Sequence, residues 1–245
     1  MRLLHSLVAI CSLALALLPD VAFADGSRLA LVVGNGAYAD GPLANPAHDA
    51  KDVAELLRKA GFDVVLHVDA DKETLSKAVH QFGKQIKNPA VKVGVFYYAG
   101  HGIQREWRNY LVPVSAKIKT AGDVLRQTVE MSDLLSYMTH SKGRSFLVVL
   151  DACRDDPFGN DYRPTLKGLS PLDAPAGSLL AFSTAPGSVA KDGEGRNGLY
   201  TSHLLKEFAR SGVKVEDAFK RVRLNVRIDS QGRQVPWENT SLEDD

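Results

Sequence analysis

Five short apolar runs set the strongest limit on how this chain can fold: residues 29–33, 64–68, 91–98, 146–150 and 179–182, each rich in Val, Leu, Phe or Tyr. Strands that stay apolar without alternating are buried on both faces, as in a parallel sheet covered above and below. Between and after the runs, apolar residues recur at helical spacing. Val53, Leu56, Leu57 and Ala60 form one stripe that stops at Gly61, and Leu75, Val79, Phe82 and Ile86 form another behind Asp71, a good N-cap. Residues 134–138 after Ser132, residues 200–208, and Val215, Phe219, Val222 and Val226 supply three more. Strand alternating with helix predicts a three-layer α/β sandwich, with a mainly parallel sheet, helices on both faces and right-handed crossovers. Active sites in such sheets lie at the carboxyl ends of the strands, which directs attention to the segments after Val33, Tyr98, Leu150 and Phe182.

The rest of the composition narrows the functional classes. Of 245 residues 44% are hydrophobic, and 30 Lys and Arg nearly balance 29 Asp and Glu. That is enough apolar content for one sizeable core, and it leaves no basic footprint for nucleic acid. The first two dozen residues differ in kind. Arg2, an apolar run over 3–18 and the small residues of Ala22-Phe23-Ala24 read as a signal peptide over 1–24, followed by one domain over 25–245. Export to the periplasm or the extracellular medium is the expectation, with no later stretch long enough to span a bilayer. Cys11 leaves with the signal, so the mature chain keeps Cys153 alone. A single thiol in an exported protein points to a reactive role.

Two strand ends carry the candidate chemistry. The run over 91–98 passes into Ala99-Gly100-His101-Gly102, and the run over 146–150 passes into Asp151-Ala152-Cys153-Arg154. Placed side by side in a parallel sheet, these ends bring His101 and Cys153 to one edge. A free thiol with a pKa of about 8.5 is only slightly ionised at neutral pH, so a nucleophilic Cys153 needs a base, and His101 can serve. The amides of Gly102 and Cys153 can hold a tetrahedral oxyanion, each such donor typically worth about 3 kcal/mol of barrier.

Tyr97-Tyr98-Ala99-Gly100-His101-Gly102, followed about fifty residues later by Asp151-Ala152-Cys153, resembles the caspase and metacaspase superfamily. Gly34-Asn35 after the first strand, the helix over 49–57 and Ser183-Thr184-Ala185-Pro186-Gly187 also look like family segments. The resemblance implies a caspase-like fold, a cysteine-type endopeptidase with His101 and Cys153 as the dyad, and Gly102 as an oxyanion donor. Asp151-Ala152-Cys153-Arg154-Asp155 departs from the Gln-Ala-Cys-Arg-Gly of animal caspases and is similar to the Asp-x-Cys arrangement of metacaspases and bacterial relatives.

Asp151 also has a reading of its own. Residues two apart on a strand share a side, so its carboxylate belongs near the thiol, where it disfavours the thiolate unless it has another task. Binding a substrate cation is such a task, and it predicts Arg or Lys before the cut bond, as the metacaspase resemblance also implies. Asp192 is a second candidate for that pocket. Arg154, Arg163 and Lys167 in the connection over 154–177 make self-processing an expectation. No cofactor or metal is expected: Asp155, Asp156 and Asp161 invite comparison with calcium-binding metacaspases but show no regular ligand pattern. One rival reading is a catalytically silent caspase-like interaction module. Another is a flavodoxin-like nucleotide binder suggested by Gly34-Asn35-Gly36, although Asp40-Gly41-Pro42 breaks the helix that such a loop needs.

Overall fold

The computed structural model describes residues 26–138, 143–153, 169–185 and 195–243. The expected signal peptide, Asp192, the three acids at 155, 156 and 161, and the basic residues 154, 163 and 167 lie outside the described residues.

The chain opens with β1 (Arg28–Gly34), α1 (Pro46–Lys59), β2 (Asp63–Val68), α2 (Lys72–Ile86) and β3 (Val93–Arg105). Then come β4 (Arg108–Leu111), α3 (Ala121–Gln127), β5 (Val129–Glu130), α4 (Met131–Ser136) and β6 (Ser145–Cys153). Finally β7 (Ser178–Phe182), α5 (Leu199–Phe208), α6 (Val215–Asp229) and β8 (Trp237–Thr240) complete it. The helix signals read from sequence operate as expected. The Asp71 carboxylate accepts the Thr74 amide at 2.8 Å to start α2, and Gly61, at φ +81°, follows the end of α1.

The main sheet runs β2-β1-β3-β6-β7-β8, parallel except for β8, which lies antiparallel on β7. One face packs Leu75, Phe82 and Ile86 of α2 and Leu134 of α4 on Leu31, Phe96, Tyr98 and Val148. The other packs Val53 of α1, Tyr200 and Leu204 of α5 and Phe219 of α6 on Val32, Tyr97 and Val149. Each of these large side chains contributes about 1.5–3 kcal/mol by leaving water, which makes the sandwich the dominant source of stability.

The structure departs from the sequence reading at β3. That strand does not end at Tyr98 but continues to Arg105, so His101 stands within a strand rather than in a loop. The reason is a change of partner: β3 pairs in parallel with β6 as far as His101, then antiparallel with β4 from Gly102. β4, β5 and α3 form a small annex whose core is Tyr38, Ile103, Tyr110, Val112, Ile118 and Val124. β8 reads Trp-Glu-Asn-Thr, too polar and too short to announce itself as a strand.

Candidate active site

The backbone register brings the two singled-out positions together. Along the β3/β6 ladder Ala99 faces Asp151, Gly100 faces Ala152 and His101 faces Cys153. Residues about fifty apart in sequence thus become lateral neighbours at the carboxyl edge of the sheet.

His101 is 3% exposed, and its Nε2 lies 2.7 Å from the carbonyl oxygen of Gly41. A carbonyl only accepts, so in the neutral ring Nε2 carries the proton and Nδ1 the lone pair. The loop that supplies this carbonyl is held by two side chains. Asn35 takes the Ala70 amide at 2.9 Å and donates to the Val112 carbonyl at 3.2 Å. Asp69 Oδ1 accepts the amides of Gly36 at 2.8 Å and Ala37 at 2.9 Å, from a backbone at φ +54°. Gly34-Asn35-Gly36 is therefore a latched turn, not a phosphate loop.

The glycines around His101 have different reasons to be glycine. Gly100 sits at φ +154°, and a Cβ there would meet the hydroxyls of Tyr38 at 2.7 Å and Tyr98 at 2.8 Å. At Gly102 a Cβ would press on Leu169 at 2.9 Å. The Val112 amide donates to the His101 carbonyl at 3.1 Å, and Gly102 pairs with Leu111. That pattern makes Gly102 a non-hydrogen-bonded ladder position, so its N–H points away from β4, toward the side on which β6 ends.

Asp151 lies on the face covered by α1 and α5. Thr201 Oγ1 donates to its carboxylate at 2.7 Å, and the Tyr97 hydroxyl lies 2.6 Å from Thr201 Oγ1. Since a carboxylate only accepts, the proton order is Tyr97 to Thr201 to Asp151. Burial first, then the negative charges of Asp151 and Asp49, push the Tyr97 hydroxyl well above its ordinary pKa, so it remains a donor.

Asp49 escaped the sequence reading. It is 2% exposed in α1 and accepts the Gly198 amide at 3.0 Å. A Cβ on Gly198 would stand 3.2 Å from Asp49 Oδ2 and 3.6 Å from Asp151 Oδ2, so the two acids flank that glycine. The signal was available: Asp49 precedes Val53 by one helical turn and so belongs to the stripe that faces the sheet. The segment before α5 is tied down further by Asp52, which takes Arg196 through Nε at 3.0 Å and Nη2 at 2.8 Å, and Asn197 at 2.9 Å. Asp192 lies outside the described residues, and among those residues no cluster of three or more His, Cys, Asp or Glu is arranged to hold a metal.

A mainly parallel α/β sandwich, with a His-Gly step and a Cys at facing positions of neighbouring strands, has the form of a caspase-type domain. The chain belongs to the caspase domain family of peptidases, which it matches over residues 27–245. It is also similar to mucosa-associated lymphoid tissue lymphoma translocation protein 1 of Homo sapiens and its homolog in Mus musculus, 28% identical to each over 164 residues. That match takes in 66% of this chain but only 19% of either relative.

Proposed function

We propose that this domain is a cysteine endopeptidase in which Cys153 attacks a peptide carbonyl and His101 moves the protons, with preference for Arg or Lys before the cut bond. The observation that carries the reading is the ladder pairing of His101 with Cys153. With Nε2 donating to Gly41, Nδ1 is the basic nitrogen and accepts the thiol proton. The thiolate then adds to the substrate carbonyl, and the amides of Gly102 and Cys153 stabilise the oxyanion; the orientation of the Gly102 N–H supports this role. As the tetrahedral adduct collapses, the imidazolium gives its proton to the departing amine. A thioester remains on Cys153. Water, deprotonated by the same imidazole, cleaves it to the carboxylic acid and restores the thiol.

The preference for a basic residue is supported by the convergence of Asp151 and Asp49 on Gly198, at the same sheet edge. A guanidinium can bridge carboxylates through parallel hydrogen bonds, and an ammonium can sit between them. We assign Asp192 to the same pocket, and self-cleavage between 154 and 177 follows from the same preference. Residues 1–24 are proposed to direct export, and the chemistry requires no cofactor.

The test is turnover of fluorogenic peptides ending in Arg, Lys or Asp by wild type, His101→Ala, Cys153→Ala and Asp151→Ala. Both dyad variants should lose cleavage of the Arg and Lys peptides. Asp151→Ala should weaken those two selectively. Full activity in Cys153→Ala would remove the mechanism, and faster cleavage after Asp than after Arg would remove the specificity.

A further inference from the structure

Where β3 exchanges β6 for β4, its ladder has a gap. His101 and Val112 occupy positions that would normally trade two backbone hydrogen bonds, and the Val112 amide does donate to the His101 carbonyl at 3.1 Å. The reciprocal bond is replaced. The His101 amide donates to the Tyr38 hydroxyl at 2.9 Å, and that hydroxyl donates to the Val112 carbonyl at 3.0 Å. A tyrosine from a distant loop thus serves as a rung between the two strands. The same side chain lays its ring against the imidazole, with centroids 4.3 Å apart and planes tilted by 46°.

We propose that Tyr38 is a positioning residue for His101: its hydroxyl sets the height of the backbone, and its ring sets the plane in which Nε2 meets the Gly41 carbonyl. Tyr38 is itself 7% exposed and packed in the annex core, so it can impose a position rather than follow one. Tyr98 supports the same node, with its hydroxyl 2.8 Å from the His101 carbonyl and 2.9 Å from that of Val112. The effect on turnover rests on the peptidase reading; the effect on the imidazole does not.

Tyr38→Phe removes the hydroxyl and keeps the ring, whereas Tyr38→Leu removes both. In the full chain, Tyr38→Phe should speed hydrogen exchange of the His101 amide at least about tenfold and lower kcat about tenfold, with KM nearly unchanged. Nitrogen NMR of the His101 ring, assigned by its loss in His101→Ala, should show one tautomer, protonated at Nε2, in wild type. Tyr38→Leu should show a mixture of tautomers and a kcat about a hundredfold lower, the usual scale for a misplaced catalytic group. Unchanged exchange and kcat in Tyr38→Phe would overturn the proposal, whether or not the Leu variant folds. So would a loss expressed only in KM. If wild type shows no turnover, the peptidase reading falls, and hydrogen exchange in Tyr38→Phe alone decides the role of Tyr38.

Discussion

The imidazole Nε2 of His101 lies 2.7 Å from the carbonyl oxygen of Gly41, sixty residues earlier in the chain. The group that orients this histidine is a backbone carbonyl, so its precision depends on the loop that carries it, including the φ of +66° that Gly41 adopts and other residues rarely do.

That loop is anchored by Asp69, so Asp69→Ala should release the amides of Gly36 and Ala37 and cost about 1–2 kcal/mol of stability. Peptidase kcat should fall with it. Asp69→Asn, which still offers a carbonyl oxygen and tolerates φ +54°, should restore most of both. Urea unfolding and turnover of the three proteins provide the check. Equal loss in the Asn and Ala variants would show that the oxygen acceptor is not what matters.

Gly100→Ala should be among the most damaging single substitutions in the domain. The added methyl would meet two tyrosine hydroxyls at 2.7 and 2.8 Å, from a backbone at φ +154° that an L residue rarely adopts. Strain and overpacking together put the cost at about 3 kcal/mol or more. Thermal unfolding measures it, and a melting temperature within two degrees of wild type would contradict the assigned geometry.

Asp49→Asn keeps an acceptor for the Gly198 amide while removing a carboxylate from the proposed cation site beside Gly198. If the two acids jointly bind the substrate cation, kcat/KM for Arg and Lys peptides should fall about 10–100-fold, matching about 1.5–3 kcal/mol for a charge-assisted bond. Turnover of a peptide with a neutral residue at that position should change little. An equal fall for both substrates would assign Asp49 to folding instead.

The tie between α1 and the segment before α5 predicts an acid-side loss of stability. Hydrogen bonding from Arg196 holds the Asp52 carboxyl below its ordinary range, so the native state binds its proton less readily than the unfolded chain does. The stabilisation is fully present above the unfolded carboxyl pKa of about 3.9 and is lost as pH falls through the lower native value. Because Arg196 is 59% exposed, the contribution should stay below about 1 kcal/mol. Denaturant unfolding of wild type and Asp52→Asn at pH values on either side of that window should show a smaller acid loss in the variant. Parallel curves would exclude the pair as a source.

Most of the frame was legible because burial leaves a mark on sequence. A strand covered on both faces must be apolar throughout, and a helix on a sheet must carry a stripe, so β1, β6, β7, α1, α2, α5 and α6 announced themselves. β2 also read as a strand, but it is the sheet's edge and is only partly covered, with Val65 48% exposed, rather than buried on both faces. β8 and the annex strands did not, because short edge strands take their conformation from a neighbour rather than from their own composition. His101, Cys153, Gly102 and Asp151 stood out through residue type directly after two apolar runs, although β3 in fact continues past His101. Asp49 was overlooked because one acid in a helical stripe resembles a surface residue until the stripe's partner is known.

By itself the chain determined the strands of the parallel sheet apart from the full length of β3, the buried faces of α1, α2, α5 and α6, and that a histidine and a cysteine follow two of the apolar runs. Only the tertiary structure decided that β3 and β6 are neighbours in a register that sets His101 opposite Cys153. It also decided that Gly41 offers its carbonyl, that Tyr38 fills a missing rung and that Asp49 joins Asp151. The physical reason is that periodicity and residue type are local, whereas strand order, register and the direction of a carbonyl emerge only when all segments compete for one core.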